Sequence, residues 1–156
     1  MNKKFLPAFL VLLLVSMTPL WTWAEDLPVM DSQGFAEFLR EHKGKVVVVD
    51  FWATWCGPCR KKLPALMECR ARFSQDEVAM IGISLDFNPE TLRSFLKVNQ
   101  LNYPIYLAED NLAAEQDVQS IPLLRVYDAA GDLRIVEEGL TSPENLCQDV
   151  GRLTAP

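Results

Sequence analysis

The chain has 156 residues, 49% of them hydrophobic, with 21 acidic against 15 basic side chains and a net charge of −6. That is enough chain for one domain with a real core. The acidic balance excludes a nucleic-acid binder, whose phosphate contacts need Lys and Arg, and argues against anionic lipid headgroups.

The opening residues read as a targeting segment. Lys3 and Lys4 form a short basic start, residues 5–15 are apolar except for Pro7, and Thr22-Trp23-Ala24 ends the stretch with small residues suited to cleavage. The apolar run is shorter than the roughly 20 residues that a spanning helix needs, so residues 1–24 are expected to be a signal peptide, with a retained membrane anchor as the alternative. No cysteine follows closely, which argues against a lipid anchor. Residues 25–156 then form one domain carrying 13 basic and 21 acidic side chains, a net of −8. Its expected location is periplasmic or otherwise extracytoplasmic, where disulfides persist.

Asp31 and Ser32 offer N-cap chemistry, and Phe35, Phe38 and Leu39 recur at helical spacing until Gly44. Residues 45–50 carry four consecutive valines, the pattern of a strand buried on both faces. Residues 59–73 read as helix, kinked at Pro64. Residues 78–85 form a second β-branched run, which gives a right-handed βαβ unit. Asn88-Pro89 starts a helix that buries Leu92, Phe95, Leu96 and Leu101. A strand at 103–107 and a short helix at 112–116 follow. Strands at 123–127 and 133–138 flank a turn at Ala129-Ala130-Gly131-Asp132, and a last helix opens at Ser142-Pro143. The order predicts an α/β fold, a mixed sheet with helices on both faces.

The chemistry sits at Cys56-Gly57-Pro58-Cys59, directly after the valine strand and opening a helix. Thiol exchange needs one accessible thiolate and a partner close enough to close the disulfide. A helix start supplies unpaired N–H groups and partial positive charge for the thiolate at Cys56, and places Cys59 one turn deeper. Arg60, Lys61 and Lys62 add charge, read here as exposed and screened. CxxC also occurs as a fixed disulfide or half of a metal site, but the strand-to-helix context favours redox chemistry. No zinc set is apparent: there is one CxxC, and the sole histidine, His42, reads as a solvated surface residue. Cys69 and Cys147 are expected to be separate buried thiols, with a second disulfide as the alternative.

The segment Val49-Asp50-Phe51-Trp52-Ala53-Thr54-Trp55-Cys56-Gly57-Pro58-Cys59 resembles the active-site segment of thioredoxins. The likeness runs from about Phe35 to Gly151 and includes Pro64, Ile121-Pro122 and Gly139. It implies a thioredoxin fold. Cys56 would be the attacking thiolate, Cys59 the resolving thiol, and Asp50 the buried carboxyl that handles the Cys59 proton. The same likeness makes Pro122 a cis-proline beside the dithiol, where Ile121 offers backbone to an extended substrate. Trp55, Gly57 and Pro58 complete the substrate-binding set, while Trp52 is either surface-shaping or packing. Residues 78–86 contain no lysine of the kind thioredoxins often place near the aspartate, so Asp50 is expected to hold its proton firmly. The stretch from Cys59 to Pro122 is longer than in a bare thioredoxin. This extra αβ insertion at 88–107 is similar to exported thiol reductases related to TlpA and ResA, which support cytochrome c maturation and periplasmic disulfide reduction. Gln119-Ser120-Ile121-Pro122 stands where dedicated cytochrome c maturation reductases carry Gly-Ala-Pro-Glu.

The resemblance implies a monomeric thiol–disulfide oxidoreductase with no cofactor beyond its own Cys56–Cys59 disulfide and no metal. Its partners would be disulfide-bearing exported proteins and a membrane electron donor. Gly-Pro between the cysteines resembles the reducing members and predicts a reductant. The alternatives are an oxidising disulfide donor and a non-catalytic binding module docking through Ile121.

Overall fold

The computed structural model describes residues 27–140 and 142–154; the leader expected at 1–24 lies outside the described residues. Among the described residues there are six strands and five helices, which alternate except where the fifth strand is followed directly by the sixth. They are β1 (Val29–Met30), α1 (Ser32–Glu41), β2 (Val46–Trp52), α2 (Gly57–Ala71), β3 (Val78–Ser84), α3 (Pro89–Val98), β4 (Ile105–Ala108), α4 (Leu112–Glu115), β5 (Leu123–Tyr127), β6 (Leu133–Glu138) and α5 (Pro143–Thr154).

The strands form one mixed sheet in the order β1-β4-β3-β2-β5-β6. β1, β4, β3 and β2 run parallel to their neighbours, whereas β5 lies antiparallel to both β2 and β6. β2 is central and every residue in it is buried, as the valine run predicts. Alternation along this strand sorts the core into two layers. Val46, Val48 and Trp52 join Cys59, Leu63, Leu66 and Cys69 of α2, Leu92 of α3, and Leu146, Cys147 and Val150 of α5. Val47, Val49 and Phe51 meet Phe35 of α1 and Leu112 of α4 on the other face. Asp50 shares its parity with Val48 and Trp52, so it points into the layer beneath α2.

The helix starts follow from local chemistry. Asp31 caps α1 by accepting from the Gly34 N–H, and Asn88 caps α3 by accepting from Glu90, with Pro89 at the first position. α2 begins at Gly57, earlier than the sequence reading, because Cys56 serves as its N-cap. The helix continues through Pro64, whose exposed position leaves only one backbone acceptor without its ladder donor. β4 begins at Ile105, later than expected, since Pro104 cannot donate to a ladder. His42 is half-buried, stacked on Phe38 with ring centroids 4.0 Å apart, and so is not the solvated residue expected.

Candidate active site

The C-terminal end of β2 delivers the chain into α2 through a four-residue corner. The Cys56 N–H donates to the Ala53 carbonyl at 3.1 Å, closing that corner. Cys56 and Cys59 are disulfide-bonded, with sulfurs 2.00 Å and Cα atoms 5.3 Å apart. The Cys59 N–H donates to the Cys56 sulfur at 3.1 Å, so that sulfur occupies the place of a capping oxygen at the helix start. Cys56 is 6% exposed and Cys59 1%, so in this disulfide form even the outer sulfur is recessed. Beside them Pro58 is exposed and Gly57 half-buried.

The corner is held by a residue that sequence reading missed. Asp86, buried just beyond β3, accepts from the Thr54 N–H at 3.0 Å, the Thr54 hydroxyl at 2.5 Å and the Ser84 hydroxyl at 2.6 Å. The next residue, Phe87, is 93% exposed and stacks on Trp55, itself 58% exposed, with rings 6.3 Å apart and 8° from parallel. Asp86 thus ties the approach to Cys56 and an exposed aromatic pair to the end of β3. Trp52, by contrast, is fully buried against Phe95 at 5.4 Å and is a packing residue.

Beneath the dithiol lies an ion pair. Lys62 Nζ is 3.1 Å from Asp50 Oδ1, with both side chains almost wholly buried. Neither reading of these residues survives unchanged. Lys62 is not an exposed, screened lysine, and Asp50 is not without a cation; its partner comes from α2 and not from β3. Burial pushes the Asp50 carboxyl above its ordinary range, and the Lys62 ammonium opposes that rise. A signal was present in the sequence: the buried positions of α2 are Cys59, Lys62, Leu63, Leu66 and Cys69, a helical stripe on which Lys62 falls.

Further polar atoms gather here. Trp52 Nε1 and the Tyr103 hydroxyl are buried with no hydrogen-bond partner among the described residues. Burial, and then the Asp50 charge, pushes the Tyr103 phenol well above its usual value. Gly82, which pairs with Asp50 across the sheet, makes room for both rings: a Cβ there would lie 3.1 Å from Trp52 Nε1, 3.2 Å from Tyr103 and 2.5 Å from Ile105.

Ile121 is half-buried and Pro122 buried, and the peptide bond between them is cis. β5 starts one residue later, with Leu123 opposite Phe51 of β2. The pair therefore stands at the sheet end from which β2 runs on to Cys56. Cys69 and Cys147 are free and buried with no disulfide between them, as expected, and Cys147 of α5 neighbours Cys69 of α2. Burial and this neighbour push the Cys69 thiol far up. Among the described residues no group of three or more His, Cys, Asp or Glu side chains could hold a metal ion, and no helix is long and apolar enough to cross a membrane.

The AhpC/TSA family profile matches residues 24–131. The chain belongs to the AhpC/TSA family. Its similarity to other proteins follows the same redox line. It is 26% identical to the thioredoxin-like protein YneN of Bacillus subtilis, over 95% of this chain and 97% of that protein. It is 27% identical to the thiol-disulfide oxidoreductase ResA of the same organism, over 85% and 74% of the two chains. Among solved structures, the thioredoxin-like superfamily protein SPOA0173 superposes with a TM-score of 0.69 at 27% identity, covering 76% of this chain and 85% of that one. StoA from Bacillus subtilis gives 0.62 at 27%, covering 68% and 82%. This AhpC/TSA member therefore has the thioredoxin-like fold, with α3 and β4 as the additional αβ unit.

Proposed function

We propose that this AhpC/TSA member is a thiol–disulfide oxidoreductase that reduces disulfides of proteins outside the cytoplasm. The observation that carries the reading is the Cys56–Cys59 disulfide at the start of α2, set above a buried carboxylate–ammonium pair. In the reduced enzyme the Cys56 thiolate attacks a client disulfide, forming a mixed disulfide and expelling one client sulfur as thiolate. Cys59 then gives its proton to Asp50 and attacks the Cys56 sulfur, releasing the second client sulfur. Two electrons pass to the client and the Cys56–Cys59 disulfide is re-formed. A raised carboxyl is suited to accepting a proton near neutrality, and Lys62 keeps it from being permanently protonated.

Trp55, Gly57 and Pro58 form the surface on which the client sulfur arrives, and Ile121 with Pro122 receives its backbone as an added strand. The Gly-Pro pair favours the reducing direction. A membrane-borne electron donor must regenerate the dithiol, because the oxidising compartment supplies no such reductant. Export rests on the leader read at 1–24 and on the kinship with ResA.

Acid quenching and thiol alkylation of cells tests the direction. A mostly reduced Cys56–Cys59 pair is expected, and a mostly oxidised one overturns the reductase reading. Cys59→Ser is expected to accumulate mixed disulfides through Cys56. Trapping none while wild type remains active would show the two roles to be misassigned.

A further inference from the structure

An open groove of about 1090 Å³ runs between α2 and α3, beginning at Trp55 and Gly57 beside the dithiol and ending near Leu101. Its walls are mainly apolar, with Leu63 and Met67 on α2 and Phe95 and Val98 on α3. Val98 is 82% exposed, on the helix that buries Leu92. The charge is one-sided. Arg60 and Lys61 are the charged residues of the lining and no acid accompanies them, although the chain as a whole has 21 acids to 15 bases. Neither cation forms an ion pair among the described residues, so both remain available to a ligand.

Resting on the reductase reading, we propose that this groove holds a segment of the client polypeptide adjoining its disulfide, and that it selects apolar segments flanked by acidic residues. From Gly57 to Met67 the α2 wall is about 15 Å long at the helical rise, room for four or five residues of extended chain. The groove is as large as the biggest small-molecule pockets and lies open along its length, which suits a polymer segment. An apolar side chain entering between Met67 and Val98 removes both from water, while Asp or Glu on the same segment meets Arg60 and Lys61 at the rim. The steering is electrostatic and therefore salt-sensitive.

The test is reduction of three disulfides by the purified protein: a small neutral one, and two peptide disulfides with identical apolar flanks carrying either acidic or basic residues. The acidic peptide is expected to show a kcat/KM about three- to tenfold above the basic one, the range that two exposed ion pairs supply. High salt should shrink that ratio, and the charge reversal Arg60→Glu with Lys61→Glu should invert it. Taking the ratio within each variant cancels any general effect of those charges on Cys56. Val98→Asp is expected to slow both peptides and leave the small disulfide unaffected. Equal peptide rates, with the small disulfide still reduced, would overturn the groove proposal and leave the reductase reading standing. Failure to reduce even the small disulfide would overturn both.

Discussion

Replacing Lys62 by Met removes the ammonium under the dithiol while keeping most of the side chain's bulk. Lys62 Nζ and Asp50 Oδ1 are 3.1 Å apart, in side chains 1% and 2% exposed. At an effective dielectric near 20, unit charges at that separation attract by about 5 kcal/mol. Taking each ion out of water costs several kcal/mol. The intact pair is therefore close to neutral for stability, while half a pair is costly. Lys62→Met and Asp50→Asn are each expected to destabilise the oxidised protein by about 3–5 kcal/mol at pH 8, whereas the double variant returns to wild-type stability or exceeds it.

The pH dependence has a definite sign. Burial raises the Asp50 carboxyl and the Lys62 ammonium lowers it, so removing Lys62 raises it further. An unfolded aspartate ionises near pH ~3.9. Above that pH the unfolded chain gives up a proton that the folded chain still holds, so stability falls with rising pH until the folded carboxyl ionises. In Lys62→Met that fall extends to higher pH, so the cost of the substitution is small at pH 5 and grows toward pH 8. Urea unfolding of the four proteins at the two pH values measures this. Additive single effects below about 1 kcal/mol, or a cost independent of pH, would refute the reasoning. The pH–rate profile of exchange should shift in the alkaline direction in the same variant, a readout that loss of packing alone does not move.

Other outcomes follow from the same structure. Asp86→Ala removes the acceptor of three buried hydrogen bonds and is expected to cost about 3 kcal/mol by denaturant unfolding. Asp86→Asn keeps the shape and should cost less. Gly82→Ala sets a methyl 2.5 Å from Ile105 and should cost about 1–3 kcal/mol through overpacking. Oxidised protein denatured without reductant should titrate two thiols, Cys69 and Cys147, with an Ellman-type reagent. Finding none would show that the two are bridged.

What the sequence disclosed was local. Residues 46–52 announce a buried strand through consecutive valines, and the hairpin strands 123–127 and 133–138 are bounded by their own turn chemistry. The caps at Asp31 and Asn88 are written in the residues themselves. β1, a two-residue strand, has no periodicity to read; its place depends on β4, far along the chain. Lys62 escapes a reading that treats charge as a sign of exposure, although its spacing from Cys59 and Leu66 places it on the buried stripe. Asp86 looks like an ordinary loop acid until the fold brings Thr54 to it from 32 residues away.

The sheet's two margins bear on how the protein avoids polymerising edge to edge. β1 offers only two residues of ladder. At the far side β6 is longer, but Arg134, Glu137 and Glu138 make half of it charged. A second copy thus finds neither a long nor a bland template at either margin. Replacing those three charges on β6 with threonine or valine would turn a guarded border into a site of self-association.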